Sequence, residues 1–324
     1  MFEPVTVPGR GEDLTAVALR SEIGAWVRSA PMRALVARFG GRVNESELPA
    51  LLQGLDEFSA DTWDFRANRE RNLIDPDIVT GESEELILAA ADALGLVRPE
   101  LPMHENYDHL LILSGLVRAC VRRPEYAAHL LAHSVTSRTV AALTGFRLLG
   151  GDEPGLLEAF GLPAATFEHE VVEAGLRRAF GLGPLAVEHK SPDGVLDNSR
   201  SLVAAGSTTE GVRVGFVVAP SLEPETRRAN SSDTYRFWAE EVAHPKPGER
   251  ILLVTSCIYV PYQHAEAVRL LGLPHGCELD TVGTDSRVIG GGHVQAFRGV
   301  HYLQELRSAI RSYRALLTAL GDAP

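Results

Sequence analysis

A chain of 324 residues with 31 Lys and Arg against 43 Asp and Glu carries a formal net charge of -12, which argues against non-specific association with nucleic acid or an anionic membrane surface. Its 45% hydrophobic and 23% charged residues are those of a globular protein and exclude a disordered chain. Three widely separated cysteines, Cys120, Cys257 and Cys277, with no CxxC spacing, exclude a disulfide framework and a zinc knuckle.

The N-terminal stretch MFEPVTVPGRGEDL has neither the basic start nor the apolar core of a secretion signal, and no segment reaches the roughly 18 apolar residues of a membrane helix. A cytoplasmic protein is expected. Residues 13–29, 31–39, 45–58 and 82–94 have helical spacing, with Pro31 at a first turn and Gly40-Gly41 and Gly95 as stops. Between the last two, WDFRANRERN (63–72) offers Arg66, Arg69 and Arg71, either as a solvated helical face or as an arm over a neighbouring site. The proline-bearing stretch RPELPMHENYD then marks a boundary between an all-helical region, 1–105, and a second domain, 106–324.

Beyond that boundary the aliphatic runs LLILSG (110–115), TVAALTG (139–145), VRVGFVVAP (212–220), RILLVTS (250–256) and ELDTVGT (278–284) predict strands covered on both faces. Segments 123–133, 167–181, 232–243, 264–271 and 302–320 predict the helices between and after them. Residues 185–211 break this rhythm, as an insertion or hairpin. The alternation predicts an α/β fold, a Rossmann-like parallel sheet flanked by helices.

Each predicted strand ends in small or polar residues: Ser114-Gly115, Thr144-Gly145, Pro220-Ser221, Thr255-Ser256 and Gly283-Thr284. Loops leaving the carboxyl ends of parallel strands form the ligand crevice of such sheets. Arg118, Arg122 or Arg123, and Arg147 follow the first two ends, and Asn230, Ser231 and Ser232 open a helix, a combination suited to an anionic group. The sequence lacks GxGxxG after the first strand and lacks GxxxxGK[ST], GxSxG and HExxH, which removes the commonest dinucleotide, P-loop, hydrolase and zincin readings. His129 and His133 are spaced one helical turn apart among leucines, where a core role outweighs metal binding, and no metal is expected. Cys257 has no visible base to activate it.

The order LILSG, RPEYAAHLL, TGFR, TFEHE, NSSDT and RILLVTSCIYVPYQ, over residues 108–320, resembles the YdcF, SanA and ElyC family of bacterial α/β proteins, with soluble YdcF nearest in organisation. The resemblance maps the family's Ser-x-x-Thr cap to Ser231 through Thr234, its acidic residue to Glu168 or Glu170, and its Thr-Ser strand end to Thr255 and Ser256. Where family members carry a histidine and an arginine after that strand end, this chain has Tyr259 and Tyr262.

The resemblance implies S-adenosylmethionine, or a similar anionic nucleoside, as ligand of a binding protein or transferase. Glu168 or Glu170 would meet sugar hydroxyls or a sulfonium charge; Arg118, Arg123 and Arg147 would meet a carboxylate or phosphate; Tyr259 and Tyr262 would stack on a base or position a second substrate. The alternatives are an envelope enzyme processing phosphate esters or lipid-linked glycans, and a non-catalytic regulator. Thr255, Ser256 and Tyr259 are expected to face the ligand beside Ser231 and Ser232.

Overall fold

The computed structural model describes residues 2–321 except 12, 13, 45, 46, 66–77, 193, 196, 291, 293 and 294; Arg66, Arg69 and Arg71 therefore lie outside the described residues. The chain forms two compact units, and each is assembled from separated segments. The first comprises Met1–Pro99, Cys257–Arg269 and Gln295–Pro324; the second comprises Glu100–Ser256 and Leu270–Val294. The break at Pro99 falls near the boundary expected at 105, but the region after it is not one continuous domain, because two later segments return to the first unit.

In chain order the elements are α1 (Ala16–Val27), α2 (Ala30–Arg38), α3 (Leu48–Thr62), α4 (Glu82–Ala93), β1 (Asn106–Leu113), α5 (Val117–His133), β2 (Thr136–Thr144), α6 (Glu153–Ala159) and α7 (Glu168–Phe180). They continue with β3 (Ala186–Lys190), β4 (Leu202–Ser207), β5 (Arg213–Val218), α8 (Ser231–Phe237), β6 (Arg250–Thr255), α9 (Val260–Ala267), α10 (Leu273–His275), β7 (Glu278–Gly283), α11 (Ser286–Ile289) and α12 (Gly299–Gly321). Two helices loosen into π-helical turns at their ends, α8 over Trp238–Ala243 and α9 over Val268–Gly272.

The first unit is helical. Leu19, Ile23 and Trp26 repeat along one face of α1 at helical spacing and are fully buried, as are Leu35, Leu52 and Ile87 of the next three helices. The last helix, α12, packs against α1, α3, α4 and α9, and its Leu303, Leu306, Ile310, Tyr313 and Leu317 are buried. The Tyr313 ring meets Trp26 edge-on at 5.0 Å. Arg298, just before α12, grips Glu84 on α4 through two hydrogen bonds of 2.6 and 2.9 Å, and the Gly299 amide adds a third of 3.2 Å.

The second unit is built on a seven-stranded sheet in the order β3-β4-β5-β2-β1-β6-β7. Strands β5, β2, β1, β6 and β7 run parallel, as their aliphatic runs predict. The sheet as a whole is mixed, however: β4 is antiparallel to β5, and β3 to β4. The segment 185–211 is thus a hairpin that extends the sheet. Its outer strand, β3, is exposed along its whole length and carries Glu188, His189 and Lys190 with a register shift beside them, features that discourage another chain from adding to the edge.

Helices α5 and α7 cover one face of the sheet over Leu110, Ile112, Val140, Val214 and Phe216. Pro124 lies inside α5 and has no N–H for the Cys120 carbonyl one turn earlier. At that carbonyl α7 places Gly175, where any Cβ would collide with the oxygen. The two helices cross closely enough to exclude a methyl group, and this crossing sets the position of the start of α7.

Two outcomes follow. Gly175→Ala should lower stability by about 1–3 kcal/mol, the usual cost of overpacking, read from denaturant unfolding. In the first unit, the hydrogen bond from Arg298 and the one from the Gly299 amide lower the pKa of Glu84 from 4.5 to about 2. A depressed carboxyl contributes stability above its unfolded value, lost as pH falls from about 4.5 toward 2. NMR titration should place the Glu84 midpoint near the lower figure, and Arg298→Ala should return it to the ordinary range.

Candidate functional site

The chain passes from β1 outward to β2 and β5, then returns to the other side of β1 with β6. This reversal makes the β1/β6 junction the place where an open α/β sheet offers a crevice. Here the crevice is filled. The Arg123 guanidinium, only 2% exposed, donates to the carbonyls of Leu113 and Ser114 and to Ser256 Oγ. Thr255 is fully buried.

The open cavity lies one strand over, at the carboxyl ends of β1 and β2 and the loop that enters α8. It encloses about 140 Å³ and is lined by Ser114, Gly115, Thr144, Gly145, Phe146, Arg147, Glu168, Arg228, Asn230, Ser231 and Thr234, among others. Glu168, the first residue of α7, is 5% exposed. Its Oε1 accepts from the Ser114 hydroxyl at 2.5 Å and the Thr144 hydroxyl at 3.0 Å, and its Oε2 accepts from Arg147 Nε at 2.5 Å.

Arg147 is shared. Its other two nitrogens donate to Glu153 at 2.6 and 2.8 Å, and one also reaches the Gly115 carbonyl at 3.1 Å. Glu153, at the start of α6, is 1% exposed and also accepts from the amides of Gly150 and Val117. Burial pushes its carboxyl up, but the hydrogen bonds from Arg147 and from these amides outweigh burial, so its pKa is lowered. Flanking carboxylates hold the Arg147 proton more firmly than an ordinary guanidinium holds its own. Two carboxylates therefore share one guanidinium beneath the cavity.

The rim is held by Asp233. Buried in the first turn of α8, it accepts from the Arg227 guanidinium and from the amides of Asn230 and Leu222. This fixes the loop that brings Arg228, Ala229 and Asn230 to the cavity. Asn230 Oδ1 caps the amides of Ser232 and Asp233, so its side-chain N–H donors are not used in the cap. Arg228 is exposed at the rim, and Phe146 is backed by Arg200, whose guanidinium carbon sits 4.3 Å from the ring centre.

Of the residues singled out in the sequence, Ser114, Gly115, Gly145, Arg147, Glu168, Asn230, Ser231 and Thr234 come together around this cavity. Arg118 instead pairs with Asp152 at 3.8 Å. Glu170 turns back to the amides of Thr166 and Phe167 at 2.6 and 2.9 Å, which leaves Glu168 as the glutamate of the site. Ser232 serves the helix cap, and Thr255 and Ser256 belong to the filled junction. Tyr259 and Tyr262 lie in the first unit, where the Tyr259 ring meets Phe297 edge-on at 6.2 Å. His129 and His133 stack on each other at 4.4 Å, and the His133 ring bonds the His129 carbonyl.

Sequence reasoning missed Glu153, Thr144 as a hydroxyl donor, and Arg228. Glu153 had a signal: an acid followed by proline after Gly150-Gly151-Asp152 is a common opening of a helix.

The profile of the Rv3785 N-terminal domain matches residues 10–95. The uncharacterized protein Rv3785 of Mycobacterium tuberculosis (strain ATCC 25618 / H37Rv) is 31% identical over 340 residues, covering 97% of this chain and 93% of that protein. The chain belongs to the Rv3785 family. The uncharacterized protein Mb3814 of Mycobacterium bovis matches to the same extent. No solved structure matches. Membership of this family overturns the resemblance to YdcF, SanA and ElyC: the Rv3785 match runs through the helical first hundred residues, which that resemblance never covered, and no match to YdcF supports it.

The shared guanidinium of this Rv3785-family chain is directly testable. Arg147→Met should strand Glu153 and Glu168 without their buried cation and cost about 3–5 kcal/mol, as breaking a buried ion pair does. Because Glu153 is depressed by Arg147 in the native protein, the deficit should narrow as pH falls toward about 4–5, where carboxyls protonate. Melting curves of both proteins at neutral and acid pH check the magnitude and the sign.

Proposed function

We propose that the second unit is a small-metabolite binding domain whose ligand presents hydroxyl or ammonium donors to the floor of the cavity and an anionic group to its rim. The observation that supports this is the donor and acceptor balance around Glu168. The carboxylate uses three of its roughly four acceptor positions on Ser114, Thr144 and Arg147. Ser114 and Thr144 each commit their single hydroxyl proton to it, so these two hydroxyls turn lone pairs toward the cavity.

The arginines expected to meet an anion do not do so at the floor, since Arg147 is held by Glu153 and Glu168 and Arg123 by backbone carbonyls. That role passes to Arg228 and the Asn230 amide. The volume of about 140 Å³ holds roughly four or five waters at about 30 Å³ each, or the sugar or amino-acid end of a larger molecule. S-adenosylmethionine or a similar anionic nucleoside fits this reading with its ribose or ammonium end inside and the rest at the rim. The three free thiols accord with a reducing, cytoplasmic setting. Among the described residues no helix is long and apolar enough to cross a membrane.

Thermal melting with S-adenosylmethionine, S-adenosylhomocysteine and ribose 5-phosphate tests the proposal. A ligand at about 100 times its dissociation constant should add roughly 2.7 kcal/mol of stability. Glu168→Gln should weaken that ligand by about 1.5–3 kcal/mol, the worth of a hydrogen bond to a charged group. Arg228→Ala should weaken it with little change in the melting temperature of the free protein. Absence of any shift at millimolar concentration, or affinity unchanged in both variants, would overturn the reading.

A further inference from the structure

The opposite face of the same sheet holds a second cavity, of about 200 Å³, formed within the second unit. The strand register explains it. On this face the cross-strand neighbours Ala141, Gly215 and Ala205 form one row, three side chains too short to fill the space above them. The row on one side is His109, Thr139 and Arg213, and on the other Leu143, Val217 and Val203. The π-helical turn after α8 supplies the wall with Trp238, Val242 and Ala243. Such turns are uncommon and are frequent at functional sites.

The polar end of the cavity is a connected relay. His109 Nε2 meets Glu249 at 3.1 Å and His109 Nδ1 meets Thr139 Oγ1 at 2.8 Å. A carboxylate accepts only, so Nε2 carries a proton toward Glu249. Whichever of Nδ1 and Thr139 Oγ1 donates in the bond between them, Oγ1 keeps a lone pair for a donor in the cavity. The Trp238 ring meets the His109 ring edge-on at 5.2 Å and fixes its orientation.

We propose that this cavity is a binding site for a small flat aromatic molecule carrying one hydrogen-bond donor, such as a phenol or an indole. The smooth Ala-Gly-Ala floor accepts a ring face, Val203 and Val217 cover its apolar edge, and Thr139 receives its O–H or N–H. The volume exceeds that of an engineered apolar cavity of roughly 150 Å³ that takes benzene. This site shares no lining residue with the one around Glu168, so the failure of either leaves the other standing.

Calorimetric titration with phenol, anisole and cyclohexanol tests it on the full chain. Phenol should bind, and anisole, which keeps the ring but has no proton to donate, should bind roughly 2- to 13-fold more weakly, the span of one neutral hydrogen bond. Thr139→Val should bring phenol down to the level of anisole. Ala141→Leu and Ala205→Leu, made separately so that one can fail to fold without ending the test, should abolish binding of both while S-adenosylmethionine-induced or other shifts at the Glu168 cavity are unaffected. The proposal is overturned if phenol does not bind the wild type at millimolar concentration, if phenol and anisole bind equally, if cyclohexanol binds more tightly than phenol, or if phenol binding survives in a folded cavity-filling variant.

Discussion

One guanidinium between two buried carboxylates organises the carboxyl end of the sheet. Arg147 leaves β2, Glu153 opens α6 and Glu168 opens α7, and Ser114 and Gly115 at the end of β1 join the same network. Removing such charges from water is costly, and their mutual attraction offsets that cost only when the geometry is good and the remaining hydrogen-bonding capacity is used. Here amides of Gly150 and Val117 and hydroxyls of Ser114 and Thr144 use it. The loops after two strands and the starts of two helices are thereby set in place without a ligand, the preorganisation a binding site requires.

Helix α8 joins the two cavities. Its first turn, fixed by Asp233 and Asn230, supplies the rim of one cavity, and its π-helical continuation supplies the wall of the other. The close α5–α7 crossing at Gly175 holds the start of α7, and with it Glu168, against the sheet. Packing two turns along α7 from Glu168 therefore helps fix the chemistry at one of them.

The five parallel strands and most helices were legible because buried strands are continuous aliphatic runs and the helices between them keep their period. The hairpin β3–β4 was legible only as an interruption: exposed β3 has no apolar alternation, and β4 is built from small residues, Ala204, Ala205 and Gly206. Residues from two of the polar strand ends, and from the helix starts beside them, line one cavity at the carboxyl edge of the sheet. What sequence did not carry was where each arginine is placed. Arg123 looks as available as Arg228 in a linear string, yet one fills the β1/β6 junction and the other stands at the rim. Tyr259 and Tyr262 looked like neighbours of Ser256, but the chain changes unit at Cys257. The motif order that resembled YdcF covered only residues 108–320 and left the helical first hundred residues, which the Rv3785 match includes, unexplained.

The composition of the first unit has a consequence for synthesis. Helices α1 to α4 precede the sheet in the chain, and α12, whose Leu306, Ile310 and Tyr313 complete their core, follows it. Between them the ribosome must extrude the whole sheet. Until α12 emerges, Trp26 lacks the Tyr313 ring it packs against, so the nascent chain carries an unfinished apolar face while the sheet is made. Transiently exposed apolar surface of this kind is prone to aggregate, so closure of this unit waits on synthesis of the sheet.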